Sequence, residues 1–151
     1  MISSTSLFAC AAAAPTDLGV KQMRLAPCPP SPNCVSSDSE DPALAVEPLR
    51  FAGPSADAWQ DVLNEVSQLP NTKIVTREPD YLHAVCSSNL FDFEDDVEFH
   101  LREDEGIIAV RSASRIGYSD LGVNRRRVEH LRERLANRGV VLGARGDNAV
   151  D

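Results

Sequence analysis

The sequence predicts an α+β domain, an antiparallel sheet of four or five strands with two helices packed on one face. Two segments, around residues 56–69 and 121–135, repeat their apolar residues at helical spacing. The residues between them alternate apolar with polar at the period of a strand and are broken by short turns, which join neighbouring strands antiparallel. One helix would not cover a sheet of that width, so both are expected on the same face.

The elements follow in order. Acidic and proline residues mark 38–54 as an extended lead-in, with Pro48, Leu49, Arg50 and Phe51 as a short first strand. Ser55 stands where an N-cap belongs, and Asp57 complements the dipole of the first turn. Ala56, Trp59, Val62, Leu63, Val66 and Leu69 form the buried stripe of this helix, with Gln60, Asp61, Asn64 and Glu65 on its other face. Pro70 and Asn71 end it. Residues 73–77, a turn at 78–80 and residues 81–87 read as a hairpin rich in β-branched and aromatic residues. In the next strand Val97, Phe99 and Leu101 alternate with Asp96, Glu98, His100 and Arg102, so one face is buried and the other is solvated or forms a polar site. After a turn at 103–106, residues 107–115 form a strand. Its alternation sets Arg111, Ala113 and Arg115 on one face with Ile107, and Ser112 and Ser114 on the other with Ile108 and Val110. The last helix runs from about 123 to 138, with Leu121, Val128, Leu131 and Leu135 as its stripe, His130 facing solvent and Gly139 as its stop.

A chain of 151 residues makes one domain, expected over 25–138, between a flexible tail or partial targeting segment (1–24) and a disordered tail (139–151). Its formal net charge of −8 argues against nucleic acid as a partner. No apolar run approaches the roughly 18 residues of a membrane span, which argues against integral membrane association and for a soluble, acidic protein. Asp92, Glu94, Asp95, Asp96, Glu98, Glu103, Asp104 and Glu105 crowd one stretch, while arginines dominate after Arg111. The acidic stretch either pairs with the arginines or holds a metal. The calcium-loop pattern of alternating ligands and a turn glycine is absent, so no metal site is assigned.

Leu7 to Ala14 form a short apolar patch resembling part of a signal peptide, yet no Lys or Arg precedes Lys21. An export signal and a small-residue tail both remain open. Cys28 and Cys34 bracket Pro29, Pro30, Ser31, Pro32 and Asn33, a stiff turn that brings two sulfurs together, and a structural disulfide is favoured over free thiols. Their spacing fits neither a redox pair nor a zinc ribbon. Cys86 reads as a small buried hydrophobe.

The Cys28–Ser37 stretch, Asp80-Tyr81-Leu82-His83-Ala84, Asp95-Asp96-Val97-Glu98-Phe99 and the long run from Arg111 through Ser114, Gly117, Asp120 and Gly122 to Arg125 occur in this order. Together they resemble the domain of unknown function 1499 family over roughly 25–135. The resemblance implies a bacterial or plastid protein, with many members resembling exported or lumenal proteins. It brings no activity and no catalytic residue. Export to a periplasm or thylakoid lumen is accordingly favoured over a cytoplasmic or stromal location.

The chemistry concentrates in Arg111, Ser112, Ser114, Arg115, Tyr118, Ser119, Asp120, Asn124 and Arg125, with His83, Asp95, Asp96 and His100 from neighbouring strands. Forked guanidiniums, hydroxyls and helix N-terminal amides suit an anion. The plainer arrangement pairs Asp95 or Asp96 with Arg111 or Arg115 and leaves Asp120 or Asn124 capping the helix, since ion-pair networks imitate sites. No nucleophile elbow, phosphate loop, metal-ligand spacing or cofactor fingerprint occurs. The sequence therefore favours a binding or assembly module that uses this constellation, for a small anionic ligand or a protein partner. A small enzyme acting on an anionic metabolite at the same place is the alternative. A pocket around the arginines favours ligand or catalysis, and an apolar patch beside them favours a protein partner.

Overall fold

The computed structural model describes residues 13–88 and 93–143. Strands β1 (Val20–Lys21), β2 (Arg24–Leu25), β3 (Cys34–Ser36) and β4 (Leu49–Arg50) precede helix α1 (Ser55–Ser67). Strands β5 (Thr72–Arg77), β6 (Tyr81–Ser87), β7 (Glu94–Arg102) and β8 (Ile107–Ser114) follow, and helix α2 (Val123–Asn137) completes the order. A single turn of 3-10 helix, Glu103–Glu105, joins β7 to β8. The architecture is α+β.

Strands β3, β8, β7, β6 and β5 lie side by side in that order, and all their pairings are antiparallel. The main sheet has six strands rather than four or five because β3 and β4 share one edge of β8. Cys34, Val35 and Ser36 pair with Ala113, Ser112 and Arg111, and further along Leu49 and Arg50 pair with Ile108 and Ile107. Three residues are too few to show a period of two, which hid β3 in the sequence.

Both helices cover one face. Trp59, Val62, Leu63 and Val66 of α1 and Val128, Leu131 and Leu135 of α2 share one cluster with Leu82, Val97, Phe99 and Val110 of the sheet. Four expectations for the helices are corrected. Ser55 is the first helical residue rather than the cap, and its hydroxyl donates to Glu103 Oε1 at 2.8 Å. Ala58 takes the buried position expected of Ala56, and Glu65, expected on the solvated face, is only 2 % exposed. Its carboxylate accepts from Arg134 Nε of α2 and from Nη1 of Arg138, which caps the end of α2, each at 2.6 Å, so the charge is compensated where it is buried. Leu121 lies outside α2 and faces solvent. The helix ends as expected: Gly139, at φ 74°, donates to Ala136 O and Val140 donates to Leu135 O, the paired bonds of a Schellman turn.

The second face of the sheet is covered as well. The β1–β2 hairpin and its flanks form a strap across it, with the Gly19 N–H donating to Glu98 Oε1 at 2.8 Å and Val20 and Leu25 packed on Tyr81 and Ala109. Asp96, Glu98, His100 and Arg102 are consequently buried rather than solvated. Cys28 and Cys34 form a disulfide with Cα atoms 5.7 Å apart, which ties the strap to β3. At the other terminus Val141 is buried and bridges Phe51. The boundaries expected at 24/25 and 138/139 thus fall inside packed structure. Most of the apolar patch at 7–14, Asp92 and the tail beyond Gly143 lie outside the described residues.

Candidate functional site

Strand alternation sorts the polar residues into two networks on opposite faces of the sheet. On the strap side, β8 presents Arg111, and Arg115 follows just beyond its end. The register sets Glu98 between Arg111 on one neighbouring strand and His83 on the other. Arg111 Nη1 donates to Glu98 Oε2 at 3.1 Å, while the Tyr81 hydroxyl donates to Glu98 Oε1 at 2.8 Å. Arg111 Nε is buried and finds no acceptor among the described residues. Arg115 grips Asp96 with both ends of its fork, Nε to Oδ2 and Nη2 to Oδ1, each at 2.8 Å, and Nη1 donates to Glu94. His83 Nε2 lies 2.7 Å from Asp96 Oδ1. A carboxylate can only accept, so Nε2 carries the proton of that bond.

The strap side continues at Arg102, whose fork binds Asp38 at 2.9 and 2.5 Å. Arg102 Nε also donates to His100 Nδ1 at 3.1 Å. Burial, reinforced by the Arg102 charge, lowers the His100 pKa.

On the helix side, Asn124 is wholly buried at the start of α2 and organises the second network. Its Oδ1 accepts from the Ser112 hydroxyl at 2.6 Å and from Arg127 Nη1 at 2.7 Å. Its Nδ2 donates to Ser114 Oγ at 2.9 Å and to Asp120 Oδ2 at 2.7 Å. Arg127 Nη2 reaches Asp95 Oδ2 at 2.5 Å. Asp120 accepts the backbone N–H groups of Gly122 and Asn124 at 2.8 and 3.0 Å, the bonding expected of a group that holds a helix start. Burial raises its carboxyl pKa, but these hydrogen bonds outweigh burial and hold it low.

The remaining residues singled out in the sequence lie apart. Arg125 donates to the backbone oxygens of Ala45 and Ala43 at 2.8 and 3.0 Å, clamping the 38–46 loop to α2. Ser119 accepts from the Leu121 N–H at 3.3 Å, and the Tyr118 ring is open to solvent. Glu98, Tyr81 and Arg127 complete the networks without having been singled out as site residues. Glu98 had a signal, since it shares the polar face of β7 with Asp96. Arg127 had one too, at i+3 from Asn124 on the helix.

Asp96 is the most strongly perturbed carboxylate here. Burial raises its pKa, but Arg115 and His83 outweigh burial and depress it from 3.8 to about 2. Because the folded value lies below the unfolded one, the stability it contributes is complete above about pH 5 and is lost as pH falls through 3.8 towards 2. The urea midpoint is expected to fall over that window, with a shallower dependence in Asp96→Asn. Equal slopes in the two proteins would assign the acid sensitivity to other carboxylates.

Among the described residues, no three His, Cys, Asp or Glu side chains are grouped to hold a metal ion, and no helix is long and apolar enough to cross a membrane. No curated protein matches the chain. The sequence pattern of one family, described as Protein of unknown function (DUF1499), matches residues 24–135, a span that contains the main sheet, the disulfide and nearly all of both polar networks, and the chain belongs to that family.

Proposed function

We propose that the protein is a binding module that engages a protein partner through the loop between β8 and α2, with the two polar networks as the frame of that loop. The observation that carries this reading is an apolar surface on a braced backbone. Ile116, Tyr118, Leu121 and Val123 are 49 %, 74 %, 83 % and 40 % exposed within one short segment. Grouped exposure of this kind differs from the single apolar residues found on any surface.

The loop is held from several sides. Asn33 Nδ2 donates to Gly117 O at 2.7 Å, the Asp120 N–H donates to Pro32 O at 3.3 Å, and Arg126 Nη1 donates to Leu121 O at 2.9 Å. A surface already ordered before binding loses less conformational entropy when a partner docks. Action on an anionic metabolite has less behind it, because Arg111, Arg115 and Arg127 each donate to a carboxylate of this chain.

The test is site-specific photocrosslinking in the native host with a benzophenone amino acid at position 118, and at the exposed helix position 60 as reference. A discrete crosslinked species at 118, absent at 60 and lost in Leu121→Ser, is expected. Once the partner is identified, Tyr118→Ser is expected to weaken binding about 30-fold or more, as for an aromatic anchor, while the melting temperature stays nearly constant. Equal crosslinking at 118 and 60, or binding unchanged by Tyr118→Ser, would reject the loop as the docking surface.

A further inference from the structure

A cavity of about 670 Å³ lies between the strap and the open edge of the sheet, on the opposite side of the sheet from the helices. His83 lines it, with a side chain only 9 % exposed. Nε2 of that ring is committed to Asp96, and Nδ1 has no partner among the described residues. When the imidazole is neutral its one proton sits on Nε2, and Nδ1 is then a hydrogen-bond acceptor. Glu78 and Asp80, from the turn between β5 and β6, add two carboxylates to the lining. The Asp80 side chain is 63 % exposed, and its Oδ2 lies 4.0 Å from His100 Nε2. No Lys or Arg is among the lining residues. Pro15, Leu18 and Val20 on the strap and Val75 on β5 add an apolar stretch of wall beside Thr76 and Tyr81.

A directed acceptor, two carboxylates and an apolar wall select a ligand with donors, positive charge and a short hydrocarbon chain. We infer that this cavity binds an alkylammonium group, with the ammonium donating to His83 Nδ1 in the field of Glu78 and Asp80 and the alkyl chain against Leu18, Val20 and Val75. The inference is independent of the β8–α2 loop, which lies elsewhere on the surface. The same chemistry is offered by a free diamine and by a lysine side chain.

The experiment titrates the full, oxidised chain with 1,4-diaminobutane, with Nα-acetyl-lysine amide and, as the matched anion, with butanedioate. Isothermal calorimetry and the nitrogen resonances of the His83 ring are the readouts. Saturable binding of at least one amine, a shift of the Nδ1 resonance and no binding of butanedioate are expected, the tighter amine identifying the source. Asp80→Asn and Glu78→Gln, both on the rim of a turn and harmless to the Asp96–His83 bond, are each expected to weaken amine binding about tenfold, the cost of one charge-assisted contact. The inference is overturned if neither amine binds, if the Nδ1 resonance does not move on binding, if both rim variants bind as the wild type does, or if butanedioate binds more tightly.

Discussion

Glu98→Ala is expected to lower the unfolding free energy by about 3–5 kcal/mol, because removing one partner of a buried ion pair leaves the other uncompensated. Glu98 is wholly buried and accepts from three elements at once: Gly19 N–H of the strap, Tyr81 Oη of β6 and Arg111 Nη1 of β8. Its loss strands a guanidinium whose Nε already lacks an acceptor among the described residues. Urea unfolding followed by far-ultraviolet circular dichroism reads the effect. A loss below about 1 kcal/mol would place water around Arg111 and show the strap to be permeable.

Trp59→Ala is expected to cost a similar amount, about 3–5 kcal/mol, for a different reason. The indole is buried in the cluster that joins α1, α2 and the sheet, and alanine would leave a void the size of the lost ring. A cavity is indifferent to ionic strength, whereas the Glu98 network is electrostatic, although its burial limits screening. An unchanged denaturation midpoint for Trp59→Ala would contradict the packing of α1 on the sheet.

The fold was legible where periodicity is long. The fifteen residues of α2 and the nine of β7 each repeat often enough to declare a period and a buried face. β3 and the β1–β2 hairpin are too short to do so, and the partner of β3, β8, lies far along the chain. That limit also governs the site. Alternation in β8 correctly separated Arg111 and Arg115 from Ser112 and Ser114, but whether the polar face of β7 met water depended on the strap, which covers it through contacts such as those of Gly19, Val20 and Leu25. Glu65 was misplaced for a related reason. A glutamate beside a helix stripe reads as solvated until the arginines that neutralise it are known, and here they come from residue 134 on the other helix and residue 138 at its end. Arg125 shows the converse, a guanidinium in a promising motif whose donors are taken up by the backbone of a distant loop.

Leu121 carries a backbone cost that its own packing does not offset. It holds φ 53°, a conformation costing a side-chain-bearing residue roughly 1–2 kcal/mol that glycine adopts without penalty. Its side chain returns little of that through burial, being the most exposed of the large apolar residues described. Selection for thermostability alone would therefore drift this position towards glycine, and selection for recognition would resist the drift. Under the proposed docking role the residue marks a point where durability and usefulness compete, and an engineer who relieved its backbone strain would erase the most exposed of the large apolar side chains described.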